Sequence, residues 1–155
     1  MTAIADKAVS GDPTIKQVKL PETLEKIGEN AFEGCIGLQE VTIPASVDTV
    51  PEGAFQGCTS LTRVRLEEGV SKIDASAFKG CTNLQTIVLP DTIETVHEEA
   101  FDKYGEIDLV CSSDKKDSPV IKAVEEMTGA EAVTIDVKID HPSEQMQFTY
   151  GDPAK

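Results

Sequence analysis

The stretch "EGAFQGCTSL", residues 52–61, decides the fold because near copies of it occur on both sides. The copies are "ENAFEGCIGL" at 29–38 and "ASAFKGCTNL" at 75–84. The phenylalanines of the series lie 23 residues apart, at Phe32, Phe55, Phe78 and Phe101. A fixed period of this length indicates a short structural unit that buries its apolar side by stacking on copies of itself.

Cutting the chain at this period gives four units, 20–42, 43–65, 66–88 and 89–111, with no gap, and residues 14–19 match the end of a preceding unit. Apolar residues recur at fixed phases, for example at Leu38, Leu61, Leu84 and Ile107. The segment 41–43 and its copies alternate apolar and polar residues, which predicts a short strand in each unit. The Ala-Phe-x-Gly-Cys segment predicts a tight helical turn that leads the chain back.

The pattern Pro-x-x-Leu/Val-x-x-Ile/Val-x-x-x-Ala-Phe-x-Gly-Cys-x-x-Leu resembles the BspA-type, or treponemal, leucine-rich repeat. It stands here as "IPASVDTVPEGAFQGCTSL", residues 43–61, and the resemblance extends from residue 14 to about residue 111. It implies a curved leucine-rich-repeat solenoid with one short parallel strand per unit and tight helical turns opposite. Unit four departs from the pattern, because "FDKYGEI" replaces the Gly-Cys step.

The flanking segments differ from the repeats. Residues 1–13 are predicted to be an N-terminal leader or cap, and the solenoid is predicted to span 14–117. Residues 118–130 predict a capping helix, since Ser118 suits the N-cap, Pro119 the first turn and Gly129 the end. Residues 131–155 are predicted to be a β-strand tail or the start of a following module.

The cysteines share a phase of the repeat. Cys35, Cys58 and Cys81 stand where Tyr104 stands in the fourth unit, which indicates a packing column. The spacings of 23, 23 and 30 residues contain no C-x2-C pair and no neighbouring histidine, so no metal site is expected. We expect buried free thiols, with disulfides as the alternative.

Residues with catalytic potential do not form a recognisable constellation. The histidines are His97 and His141, and the glycines 34, 57 and 80 follow the repeat instead of forming a phosphate-binding loop. Glu98 and Glu99 fit a solvated face better than a catalytic pair. The sequence therefore predicts a protein that is not an enzyme and has no cofactor.

The net charge of −14, from 28 acidic and 14 basic residues, argues against nucleic acid as a partner. No apolar run approaches the roughly 20 residues that a bilayer span requires, so no membrane insertion is expected. The first residues, "MTAIADKAVSGDPT", carry no signal pattern. The chain is then either cytoplasmic or the mature part of a longer exported protein.

The outward strand positions form the candidate binding surface, because extended solenoids bind partners there. Both arginines of the chain, Arg63 and Arg65, fall on it. The predicted ligand-binding residues are Lys19, Glu40, Thr42, Arg63, Arg65, Thr86 and Val88. The alternative is structural, with ion pairs from Arg63 to Glu40 and from Arg65 to Glu67 or water, which contribute little stability on an exposed surface.

These observations predict a non-catalytic binding or adhesion module that recognises a protein or an acidic glycan on its strand face. The family resemblance implies extracellular or cell-surface display on a microbe. We expect a monomer. The alternative is a cytoplasmic scaffold or spacer domain with no dedicated ligand.

Overall fold

The protein is a β-solenoid of about six turns. The computed structural model describes residues 2–104 and 107–134. Its strands run parallel to one another, and neighbouring strands come from successive turns of the chain. The predicted leucine-rich-repeat solenoid with its short parallel strands is confirmed.

The wide sheet has the order β10-β9-β7-β5-β3 among the described residues. Its strands are β3 (Glu40–Ile43), β5 (Arg63–Leu66), β7 (Thr86–Val88), β9 (Asp108–Cys111) and β10 (Glu131–Thr134). Strands β3 and β5 alternate exposed and buried residues, so one side of the sheet faces the core and the other faces solvent. Gln17 extends the sheet by a parallel bridge to Glu40.

The five turns before the last also carry a second, two-residue strand that the sequence analysis did not foresee. These strands are β1 (Ala3–Ile4), β2 (Lys26–Ile27), β4 (Thr49–Val50), β6 (Lys72–Ile73) and β8 (Thr95–Val96). Strands β4, β6 and β8 form one sheet, and β1 pairs with β2. The core therefore lies between the wide sheet and this narrow strand column.

The Ala-Phe-x-Gly-Cys segments form successive tight turns. In the first of them, Phe32 N donates to Ala54 O of the next unit at 2.9 Å, while Cys35 N donates back to Phe32 O at 3.2 Å. Backbone groups thus alternate between closing the local turn and joining the next unit. Gly57 takes a φ of 75°, in the left-handed region where a Cβ is unfavourable, which explains the glycine of the motif.

The phenylalanine rings form a continuous buried stack. Centroids are 5.1 Å apart between Phe32 and Phe55, 5.4 Å between Phe55 and Phe78, and 5.2 Å between Phe78 and Phe101. Phe55 and Phe78 are fully buried, and Leu, Ile and Val side chains fill the rest of the core. The 23-residue period is therefore the spacing that places one ring on the next.

The gap-free register of the sequence analysis is wrong after Tyr104. Thr86 pairs with Asp108, a separation of 22 residues, whereas Arg63 pairs with Thr86 at 23. The shift buries Leu109 and Cys111 and turns Asp108 outward. The gap-free register places Val110 in the inward phase of Ile87, which is why the pattern did not reveal the missing residue, although it also places the polar Ser112 in the phase of the buried Leu89.

The capping helix is confirmed as α1 (Pro119–Thr128). The Oγ atom of Ser118 accepts a hydrogen bond from Ile121 N, and Gly129 ends the helix with a φ of 80°. Ile121 and Val124 are buried, and α1 packs against β8 and β10. The chain then enters β10, so α1 occupies the place of a phenylalanine turn in the last turn of the solenoid.

The N-terminal residues follow the repeat as well. Lys7 N donates to Glu29 O and Val9 N donates to Ala31 O, both at 3.0 Å, in the manner of Asn30 and Phe32 one turn later. Residues 2–13, predicted as a leader or cap, thus form a further turn in which Val9 stands at the phenylalanine phase. Of the predicted tail at 131–155, residues 131–134 form β10, and the rest lies outside the described residues.

Candidate binding surface

The outward residues of the wide sheet form a flat array that we call the strand face. The register places them in two columns that run across the strands. The first column is Glu40, Arg63, Thr86, Asp108 and Glu131, and the second is Thr42, Arg65, Val88, Val110 and Val133. Neighbouring members of a column are about 4.8 Å apart, the usual distance between strands.

Arg63 and Arg65 lie on β5, between β3 and β7, and both are exposed. They stand two positions apart on one strand, so their side chains leave the same side of the sheet about 7 Å apart. Glu40 is the register partner of Arg63. The ion pairs within the described residues nevertheless both involve Lys122 and none involves either arginine.

The ion pairs of the structural alternative are thus absent from the described part of the chain. Neither Arg63–Glu40 nor Arg65–Glu67 comes within ion-pair distance there. The guanidinium groups also form no hydrogen bond with a described residue. Their charge and their planar array of donors, which suits carboxylate, phosphate or sulfate groups, remain available to an external partner.

Most of the predicted binding residues share this face. Glu40, Thr42, Thr86 and Val88 are register neighbours of the two arginines. Lys19 is exposed but lies outside the described strands, where the bridge joins Gln17 to Glu40. Lys19 therefore belongs to the margin of the face.

The structure adds four residues that the sequence analysis missed. Asp108 and Val110 reach the face through the one-residue shift after Tyr104, and Glu131 and Val133 reach it because β10 joins the sheet. Val133 is 46% exposed and Val110 is half-buried. The alternating apolar residues Val133, Ile135, Val137 and Ile139 were the available signal for a strand here, but the position of β10 beside β9 was not visible in sequence.

The opposite side of the solenoid carries an acidic concavity beside the narrow strands. It has a volume of about 520 Å³ and its lining includes Asp6, Glu29, Asp48 and Asp74. Asp6 accepts a hydrogen bond from Glu29 N at 2.8 Å, and Asp48 accepts one from Ser71 Oγ at 2.7 Å. The bonds from Ser71 and Thr49 lower the pKa of Asp48. These carboxylates therefore serve the fold, and the described residues contain no cluster able to hold a metal ion.

The cysteine column is also structural. Cys58 Sγ donates to Phe32 O and Cys81 Sγ to Phe55 O, both at 3.2 Å, and Tyr104 makes the equivalent bond to Phe78 O at 3.1 Å through its hydroxyl. Burial raises the pKa of Cys58 to about 12. The thiol is consequently protonated at neutral pH and unsuited to nucleophilic chemistry. All four cysteines are free and buried.

His97 is the described histidine, and it lies on the exposed surface. Its Nδ1 accepts a hydrogen bond from Glu99 N at 3.0 Å, a local contact two residues away. No nucleophile among the described residues is hydrogen-bonded to it. The described part of the chain thus shows no acid–base or nucleophilic constellation around this histidine.

The comparisons with known proteins agree with this geometry. The family model for the BspA-type leucine-rich repeat region matches residues 2–114 with six copies. The chain belongs to this family. No curated protein matches the chain closely enough to count as a relative.

Three solved structures of leucine-rich proteins resemble the chain in fold. A leucine-rich cell surface protein from Faecalibacterium prausnitzii A2-165 superposes with a TM-score of 0.61 at 24% identity, over 82% of this chain and 32% of that one. A leucine-rich repeat protein from Bacteroides ovatus gives 0.52 at 22% identity, over 85% and 40%. One from Eubacterium ventriosum gives 0.53 at 18% identity, over 92% and 36%.

These likenesses concern the fold, and the chain spans about a third of the length of the solved structures. Leucine-rich repeats are non-enzymatic interaction modules as a class, and the chain shares their architecture. Across the described residues, no helix combines the length and apolarity needed to span a bilayer.

Proposed function

We propose that this BspA-type repeat domain is a non-catalytic binding module whose strand face recognises an acidic group through Arg63 and Arg65. One observation carries the proposal: both arginines are exposed on β5, an inner strand of the wide sheet, and pair with no described acid, although Glu40 is the register partner of one of them. The chain places its two strongest planar hydrogen-bond donors where a partner has access to them.

The charge distribution supports an acidic partner. Residues 20–111 contain 17 acids against 6 bases, and two of those bases are the arginines of the strand face. Most of these acids lie on other sides of the solenoid, and on the strand face the arginine pair of β5 is the local basic site for an anion, with Glu40 on β3 and Asp108 on β9 nearby. The partner is a protein or a glycan that carries carboxylate, phosphate or sulfate groups. The domain acts as a monomer.

We further propose display at a microbial cell surface, in a role such as adhesion. The support is the family and one solved structure with the same fold, which is described as a leucine-rich cell surface protein. The alternative is a cytoplasmic scaffold. Labelling intact and permeabilised cells of the source organism with an antibody to the domain separates the two, since a scaffold is labelled only after permeabilisation.

The binding proposal is tested with two unbiased probes, a phage-displayed library of random 12-residue peptides and an array of sulfated and sialylated glycans. The binders from either probe are measured against Arg63→Ser/Arg65→Ser and against Lys26→Ser/Lys72→Ser. The second variant removes the same charge from exposed positions on the narrow strands. We expect the arginine variant alone to weaken binding at least tenfold, with affinity that falls as salt rises.

Equal weakening by both variants would show that net charge, and not the strand face, governs binding. Unaltered binding by the arginine variant would place the site elsewhere on the domain. Circular dichroism of each variant checks that the solenoid is intact. Because both arginines are exposed and unpaired among the described residues, their removal should leave the melting temperature nearly unchanged.

A further inference from the structure

The strand face carries an apolar stripe next to the arginine pair. Val88, Val110 and Val133 follow Arg65 in the second column, one on each of three neighbouring strands. Val133 is 46% exposed, and the other two are half-buried and lie outside the buried core. A sheet with one solvated side normally presents polar residues there, so three aligned valines form a surface suited to an apolar partner.

Beside the valines, the first column carries acidic residues. Thr86 separates Arg63 from Asp108, and Glu131 follows. At about 4.8 Å per strand, the two acids lie about 10 and 14 Å from Arg63 along the column. The strand face therefore changes from basic at β5 to acidic and apolar at β9 and β10.

We infer that the occupant of this face is a protein segment, with aliphatic side chains over the valine stripe and one carboxylate at the arginine pair. The inference rests on the proposed function, since it uses Arg63 and Arg65 as the acid-binding end. It adds the other end of the site, the stripe of Val88, Val110 and Val133, and it selects a peptide over a glycan.

The spacing of the stripe fits an extended segment that crosses the strands. Arg65 and Val133 are three strands apart, or about 14 Å. In an extended peptide, residues i, i+2 and i+4 point to one side and span about 13 Å. Aliphatic residues at i and i+2 then cover the three valines, and an acidic residue at i+4 reaches Arg65.

A uniform polyanion fits this face poorly. Asp108 and Glu131 lie beside the valines and are both exposed. An anionic group that extends one strand past the arginines comes within about 5–10 Å of these acids, close to the screening length of about 8 Å at physiological salt, so the acids repel it. A sulfated sugar chain also brings few aliphatic groups to cover the valines, whereas aliphatic side chains gain roughly 25 cal/mol for each Å² of apolar surface removed from water.

The peptide library serves as the probe, with Val88→Thr/Val110→Thr/Val133→Thr as the test variant. Threonine keeps the shape and the β-branching of valine but has a hydroxyl in place of one methyl group. The matched control is Ile36→Thr, because Ile36 is 51% exposed on the turn side and its repeat copies are Thr59 and Thr82. We expect enriched peptides with the order aliphatic-x-aliphatic-x-acid or its reverse.

The enriched peptides, made synthetically, should bind the valine variant and the arginine variant each at least tenfold more weakly than the parent. They should bind the Ile36→Thr control as the parent does. The single variant Val133→Thr, at the most exposed valine, should weaken binding by a smaller factor, and it replaces the triple variant if circular dichroism shows that the triple variant is unfolded.

Other outcomes overturn the inference in separable ways. Peptides or sulfated glycans that need the arginines but not the valines would refute the peptide segment and leave the proposed function standing. Binders that need neither would refute both. Binders that need the valines but not the arginines would also refute both, because the acid-binding end would be absent. If the library yields no enriched peptide, the inference is refuted directly.

Discussion

Replacing Phe55 by alanine tests the stack of rings that defines the repeat. Phe55 is fully buried, and its ring lies parallel to those of Phe32 and Phe78 with interplanar angles of 2°. Truncation of a buried phenylalanine costs about 3–5 kcal/mol. Each lost ring contact contributes about 0.5–1.5 kcal/mol to that cost. Among the described residues Phe32 stacks on one ring, that of Phe55, so Phe32→Ala should cost about 0.5–1.5 kcal/mol less than Phe55→Ala.

The assay is urea unfolding followed by far-ultraviolet circular dichroism, with the melting temperature as a second measure. For a chain of this size, 1 kcal/mol lowers the melting temperature by about 2–4 °C, so we expect a decrease of about 6–20 °C for Phe55→Ala. Phe55→Leu keeps much of the apolar volume but removes the ring, so its free energy of unfolding should lie between those of the parent and Phe55→Ala. A loss below about 1 kcal/mol for Phe55→Ala, or equal losses at positions 55 and 32, would refute the role of the stack.

Three further outcomes follow from the fold. Gly57 and Gly80 have φ of 75° and 81°, and a Cβ at Gly80 would lie 3.3 Å from Gly57, whereas a Cβ at Gly57 would lie 3.8 Å from Gly34. Gly57→Ala should therefore lower the free energy of unfolding, measured in urea, by about 1–2 kcal/mol, and Gly80→Ala should lower it more. The reverse order would contradict the packing. Burial raises the pKa of Cys58 from 9.0 to about 12, so the contribution of the neutral thiol to the stability of the fold is complete below pH 9 and is lost between pH 9 and 12. The urea concentration at the unfolding midpoint should fall over that pH range, and it should fall by less in Cys58→Ala. A chain that ends at Cys111 lacks α1 and exposes the last turn, so gel filtration should show aggregates or the melt should lose cooperativity, whereas a stable monomer would make α1 an appendage.

The sequence predicted the features that repeat. The 23-residue spacing of the phenylalanines indicated stacked rings, and Tyr104, which stands at the cysteine phase, indeed makes the hydrogen bond that the cysteines make. Ser118 and Gly129 marked the ends of the capping helix correctly. These features depend on local chemistry or on strict periodicity, and both are visible in a single sequence.

Three features were missed. The residue lost after Tyr104 was hidden because the apolar Val110 fits the inward phase of the gap-free register, although Ser112, in the phase of Leu89, does not. The two-residue narrow strands are too short to show an alternating pattern. The valine stripe depends on the register shift and on the pairing of β10 with β9, which is a contact across α1 that sequence spacing does not reveal.

The most direct test of the binding account is to map a bound peptide on the ¹⁵N-labelled chain by NMR. A peptide from the library selection is titrated into the protein, and the amide shifts are followed residue by residue. The account predicts that the largest shifts fall on β5, β7 and β9, around Arg65, Val88 and Val110. Shifts confined to the narrow strands, to the turns around the phenylalanine stack or to α1 would contradict it.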